Sequence, residues 1–276
     1  MVRGTLPIHV FLTRPEGRNG AVPARLAALG MQVHELPALE LRPMVRPSHV
    51  PLPGDFDLVV FVSRYAAQCY VQWLRQGGHA NVHWPVSTLA ATVGASSANA
   101  LLETGLIPAE SVIHPPADTL EQDSEALLGV LDARGFQPRR VLIIRGTRGR
   151  DWLSAVLSER GAQVELLPVY ERVPAMWLPE TQQTLLDVLR YPDRCIFLLT
   201  SSEGVRAVAA GLERLGTLAA WSVAGFVVLH ERIGATLQSV LASYPGDGPR
   251  HFKVCRPDDD SIVEVIHAAA QLAAKP

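Results

Sequence analysis

Residues 10–43 read VFLTRPEGRNGAVPARLAALGMQVHELPALELRP, and residues 141–174 read VLIIRGTRGRDWLSAVLSERGAQVELLPVYERVP. The two stretches align without a gap at an offset of 131, with 11 identities in 34 positions. The matches include Val10 with Val141, Arg14 with Arg145, Gly30 with Gly161, and Leu36-Pro37 with Leu167-Pro168. Chance supplies roughly three in so Ala- and Leu-rich a chain, so the stretch is a duplicated unit. Two copies of one unit predict two similar domains. The likeness runs on weakly: FVSRYAAQCYV (61–71) resembles LLTSSEGVRAV (198–208), each a buried strand entering a hydroxyl-bearing turn and then a helix.

Outside the repeat, short apolar runs alternate with helical patterns. Ile8–Leu12, Leu58–Val62, Leu89–Val93, Val141–Ile144, Cys195–Leu199 and Phe226–Leu229 read as strands. Runs of this kind, apolar on both faces, belong to parallel sheets covered on both sides. AVPARLAALG, SEALLGVLDARG, DWLSAVLSERG and EGVRAVAAGLERLG read as helices closed by glycine. The alternation predicts an α/β fold with parallel sheets and right-handed crossovers.

Each repeat ends in an extended, proline-bracketed segment, LPALELRP (36–43) or LPVYERVP (167–174). Such segments suit edge strands and linkers. Taken as crossings, they place residues 44–167 in one domain and residues 1–38 with 173–276 in the other, which is discontinuous. Residues 39–43 and 168–172 are then a two-stranded linker. The other reading makes them ordinary edge strands of two contiguous domains.

The chain has 276 residues, enough for one large or two small domains. It is 48% hydrophobic and 19% charged, with mean hydropathy +0.15, a composition that builds cores. A net charge of −2, from 25 basic and 27 acidic residues, argues against chain-wide attraction to nucleic acid or anionic lipid. Only Lys253 and Lys275 stand against 23 arginines. Genomic base composition explains that bias; carboxylate or phosphate recognition by planar guanidinium is the alternative. Cys69, Cys195 and Cys255 lie far apart, with no CxxC or Cys/His cluster, which suits reduced thiols in a cytoplasm. The amino-terminal apolar stretch is too short for a leader, and the longest uncharged stretch, Leu215–Leu229, is too short to cross a bilayer.

In open parallel sheets, ligands bind beyond the carboxyl ends of the strands. The turns there carry Thr13-Arg14-Pro15, Ser63-Arg64-Tyr65, Gly94 to Ala98 with Ser97, Arg145-Gly146-Thr147, Thr200-Ser201-Ser202 and His230-Glu231-Arg232. Backbone N–H groups at helix starts, flanked by hydroxyls and arginines, hold anions without a catalytic base. For any single Ser or Thr, the plainer role is a helix N-cap, worth about 1 kcal/mol. GxGxxG, GxxxxGK[ST], HExxH and GxSxG are absent. Asp258-Asp259-Asp260 reads as the acidic start of the helix SIVEVIHAAAQL and not as a metal cluster. What remains is a site for a polyanion that uses neither cofactor nor metal.

In order and spacing, LTRPEGRNG, FDLVVFVSRYAA, TVGASSANALLETG, DSEALLGVLDARG, RVLIIRGTRGRD, LPVYERV, LLTSSEGVRAV and LHERIGATL resemble the uroporphyrinogen-III synthase family over nearly the whole chain. The resemblance implies two flavodoxin-like α/β domains joined by a pair of strands, with the site in a cleft between them. It implies the substrate hydroxymethylbilane, an octacarboxylate, closed with inversion of its last pyrrole ring, and no cofactor or metal. It implies a catalytic donor at Tyr170, whose ring could instead only pack the hinge, and substrate contacts from Thr13, Arg14, Ser97, Thr200, Ser201 and Ser202. The strand-end turns themselves add Ser63, Arg145, His230, Arg232 and Arg64, the last either holding a carboxylate or pointing to solvent. SRYA at Ser63–Ala66 departs from the family's usual TSANA turn by placing Arg64 and Tyr65 there. With the cysteine usage and the charge balance, the expectation is a cytoplasmic monomer with no nucleic-acid or membrane partner, in transient contact with the preceding enzyme of its pathway. Competing readings are a tetrapyrrole-binding or regulatory protein of this fold without turnover, and a flavin- or sugar-binding protein read from architecture alone.

Overall fold

A computed structural model describes residues 7–77, 84–116, 124–242 and 251–273. Residues 1–6 of the stretch weighed above as a leader, and Lys275, lie outside that range. In chain order come β1 (His9–Leu12), α1 (Val22–Ala28), β2 (Gln32–Glu35), β3 (Leu39–Pro43), β4 (Leu58–Phe61), α2 (Arg64–Gln76), β5 (Leu89–Thr92) and α3 (Ala95–Leu102). Next are β6 (Val112–Ile113), α4 (Ser124–Ala133), β7 (Arg140–Gly146), α5 (Trp152–Glu159) and β8 (Gln163–Pro174). The chain continues through α6 (Pro179–Val188), β9 (Cys195–Leu199), α7 (Ser202–Arg214), α8 (Leu218–Trp221) and β10 (Gly225–Val228). It closes with α9 (Glu231–Leu241), β11 (His251–Val254) and α10 (Asp259–Ala273). No described helix is long and apolar enough to cross a membrane.

The chain divides into two compact units, residues 1–40 with 173–276, and residues 41–172. The first holds the sheet β2-β1-β9-β10-β11, in which every neighbouring pair is parallel. Numbered within the unit, its order is 2-1-3-4-5, the flavodoxin-type doubly wound order. The second holds β3-β8-β7-β4-β5-β6, parallel from β8 to β6. Here the second repeat copy, β7-α5-β8, occupies the place that β1-α1-β2 has in the first unit. The copies share one register: His9 faces Gln32, and Arg140 faces Gln163. The five parallel strands of each unit therefore have the same spatial layout, with the repeat at the start of one unit and at the end of the other.

The continuous apolar runs are explained by two-sided burial. In the first unit Val10, Leu12, Ile196, Leu198 and Val227 fill one face, and Phe11, Phe197, Leu199, Phe226 and Val228 the other. In the second, Val59, Phe61, Leu142 and Ile144 oppose Leu58, Val60, Val141 and Ile143. Alternation along each strand sends successive side chains to opposite faces.

Two details differ from the sequence reading. Residues 168–172, read as a linker strand, are continuous with residues 163–167 in one 12-residue strand, β8, in which Pro168 and Tyr170 still face Arg145 and Gly146. The register shift between Arg145 and Gly146 gives Pro168 the irregular place where a missing N–H is tolerated. In the first copy the chain breaks at Leu36-Pro37-Ala38 and resumes as β3, the neighbour of β8 in the sheet. The bonds Met44 N–H to Val169 O (3.0 Å) and Ala175 N–H to Ala38 O (3.1 Å) step in opposite directions, an antiparallel arrangement. Second, the sequence pairs Ser63 with Thr200, whereas strand register pairs it with Ser201: Leu58 sits on Val141 as Ile196 sits on Val10. In a run of adjacent hydroxyls the pattern cannot choose; helix-start geometry can.

Candidate functional site

Four helices begin by one rule at the carboxyl rims. After β4, β5, β9 and β10, one residue intervenes and the next is an extended N-cap: Ser63, Gly94, Ser201 and His230. Ser63 Oγ accepts from Ala66 N–H at 3.2 Å and Ser201 Oγ from Gly204 N–H at 3.0 Å. His230 caps α9 with its ring, Nδ1 accepting from Arg232 N–H at 3.0 Å. A neutral ring so engaged carries its proton on Nε2, as a donor. Ser97 lies in the first turn of α3, half-buried, its N–H bonded to Gly94 O. Arg64 is exposed and reaches Ser96 Oγ at 3.2 Å. Arg232 is exposed, and Thr200 and Ser202 are half-buried, Ser202 Oγ accepting from Thr236 Oγ1 at 2.9 Å.

The two repeat arginines are not free. Thr13, which precedes Arg14, is buried and donates its hydroxyl to Leu198 O at 2.7 Å, tying β1 to β9. Arg14 Nη2 donates to Pro257 O at 3.0 Å, and Nη1 pairs with Asp259 at 3.3 Å. Arg145 is buried, its Nε donating to Gly146 O and its Nη1 paired with Asp151. Sequence reading did not identify either aspartate as an arginine partner. Asp151, six residues beyond Arg145, was within reach of a charge-spacing argument; Asp259, 245 residues from Arg14, gave no local signal. The acidic run also does more than start α10: Asp258 caps Ser261 N–H, and Asp260 pairs with Arg25.

Tyr170 is 3% exposed, its ring edge-on to Tyr65 with centroids 5.2 Å apart. Ser63 Oγ stands 3.4 Å from the Tyr170 hydroxyl. Ser63 Oγ accepts from Ala66 N–H and keeps a second lone pair and its own proton for the Tyr170 hydroxyl. Tyr65 donates to Leu41 O at 3.2 Å, and burial raises its pKa, with Cys69 adding to the rise. No group of three or more described His, Cys, Asp or Glu side chains is arranged to hold a metal ion.

Parallel sheets of this strand order, with helices that start at their carboxyl rims, define a doubly wound α/β protein. The particular family follows from comparison: the chain belongs to the uroporphyrinogen-III synthase (HemD) family, whose model matches residues 21–239. The uroporphyrinogen-III synthase of Salmonella typhimurium is 31% identical over 173 residues, 60% of this chain and 65% of that protein. That of Escherichia coli is 25% identical over 169 residues, again 65% of its length. The chain thus spans just under two thirds of these two relatives. The uroporphyrinogen-III synthetase structure from Helicobacter pylori matches at TM-score 0.60 with 14% identity, covering 95% of this chain and 99% of that one. A mutant uroporphyrinogen III synthase structure from Thermus thermophilus matches at 0.52 with 18% identity, covering 96% and 99%. These two likenesses speak for the fold.

Proposed function

We propose that the chain closes hydroxymethylbilane to uroporphyrinogen III with inversion of the last ring. The main support is the family match across 21–239, which includes β4 to β10 and the helix starts at Ser63, Gly94, Ser201 and His230. In this reading loss of the terminal hydroxyl leaves an electrophilic azafulvene, and a ring already nucleophilic attacks it through its substituted carbon. The spiro product then fragments and recloses. No redox change occurs, so the work is orientation, which supplies much of a barrier reduction by itself. Arg14, Arg145, Arg64, Arg232, His230, Ser63, Ser97, Thr13, Thr200, Ser201 and Ser202 serve the substrate's carboxylates, some directly and some, like Thr13, by holding the rim. Tyr170, whose hydroxyl lies beside Ser63 Oγ, assists departure of the hydroxyl.

The same reading makes the chain a cytoplasmic, cofactor-independent lyase that meets the preceding pathway enzyme only transiently. Supplying the purified protein with freshly generated hydroxymethylbilane and separating the isomers tests it. Isomer III in excess over spontaneous isomer I is the expected product. Isomer I alone, with tetrapyrrole still bound, identifies a non-catalytic binder instead.

A further inference from the structure

We propose that Asp151 and Asp259 are internal substitutes for substrate carboxylates, each occupying a rim arginine until the substrate's own carboxylate displaces it. The inference rests on the reading of the substrate as a polycarboxylate. Arg14 and Arg145 hold equivalent positions in the two repeat copies, one just beyond β1 and the other in β7 beside its carboxyl end. Both guanidiniums also donate to a backbone carbonyl, Pro257 O for Arg14 and Gly146 O for Arg145, which helps to fix them. Their side chains are 15% and 10% exposed, whereas those of Asp259 and Asp151 are 39% and 74% exposed. In each pair the arginine is the more buried and better-held partner, and the carboxylate is the more exposed one.

The two copies reach this pairing by different routes. The position equivalent to Asp151 in the first copy is Gly20. A Cβ placed on Gly20 would stand 2.9 Å from Asp259 Oδ2, so α10 delivers a carboxylate to the place where an aspartate at 20 would put one. The repeat does not preserve the acidic residue; it preserves a carboxylate beside the arginine. An octacarboxylate substrate offers the same chemical group, and a pre-anchored guanidinium accepts it in bidentate fashion. While the internal pair is closed, apparent affinity falls in proportion to the open fraction, so each aspartate weakens binding and excludes ligands with too few carboxylates to compete.

The test is fluorescence titration of uroporphyrin, an octacarboxylate, into the wild type, Asp151→Asn, Asp259→Asn and Arg145→Gln, with melting temperatures measured in parallel. Asp151→Asn is the cleaner variant, because that side chain makes no cap bond to α5. Each aspartate variant is expected to tighten Kd by about two- to fivefold, the scale on which partly exposed ion pairs compete. Arg145→Gln is expected to weaken it. A folded Asp151→Asn or Asp259→Asn with unchanged or weaker binding overturns the inference, as does absence of porphyrin binding in all four proteins. Melting temperature alone moves if the pairs are merely structural. Ring closure by the wild type is assayed separately, so tighter binding without turnover sustains this inference and rejects the proposed function.

Discussion

The Tyr170 ring lies directly over Gly146: a Cβ at that glycine would stand 2.8 Å from Cε2 and 2.9 Å from Cζ. Gly146 ends β7 and faces Tyr170 across the sheet, just past the register shift. No side chain fits there without moving the phenol away from Ser63. Gly146→Ala is therefore expected to cost about 1–3 kcal/mol of stability as an overpacked site and to lower kcat along with it. Chemical unfolding and steady-state kinetics on the same preparation check this; unchanged kcat in a folded variant removes Tyr170 from the reaction.

Ser63→Ala and Ser201→Ala each remove an N-cap, so each should cost about 1 kcal/mol. Their kinetic effects should differ. Ser63 also donates toward Tyr170, and its loss should lower kcat several-fold, while Ser201→Ala should act mainly on KM. Loss of all activity in a folded Ser201→Ala variant contradicts binding shared among many rim donors.

His34 stacks on Phe11 and on His9, with His9 Nδ1 3.0 Å from His34 Nε2. Burial lowers the pKa of both rings below 6.5, and His9 lowers that of His34 further. The unfolded chain then binds more protons below about pH 6.5. The stabilising contribution is present above that pH and is lost as pH falls toward the folded-state pKa. A melting temperature that declines between about pH 6.5 and 5, with a shallower decline in His34→Gln, is the expected result; identical slopes reject the assignment.

All three cysteines are buried. Burial, and then Asp193, push the Cys195 thiol up to about 12; burial, and then Asp258, push Cys255 up to about 11. Burial raises Cys69 as well. At pH 8 a thiol reagent should react only slowly with the native protein and with three thiols after denaturation. A fast-reacting native thiol contradicts this placement.

The parallel α/β class was legible because strands buried on both faces must be continuously apolar, as in Leu58–Phe61 and Cys195–Leu199. The repeat was legible because Gly30 and Gly161 both need positive φ, 82° and 90°. Less visible were β6, two residues long, and the pairing of β3 with β8, which depends on partners more than a hundred residues apart. The rim positions followed from strand ends and hydroxyls. Their partners did not: nothing near Arg14 announces Asp259, nothing near Tyr170 announces Ser63, and Gly146 reads as any turn glycine. Long-range pairing of short polar side chains leaves no periodic trace.

The most direct measurement is the isomer composition and rate of product formed from hydroxymethylbilane by the wild type and by Tyr170→Phe, each corrected for spontaneous closure. The account predicts isomer III from both, with the variant slower by about ten- to a hundredfold, because the rims orient the substrate while Tyr170 only assists loss of the hydroxyl. Isomer I at the spontaneous rate from the wild type, or an unaltered rate in Tyr170→Phe, would contradict it.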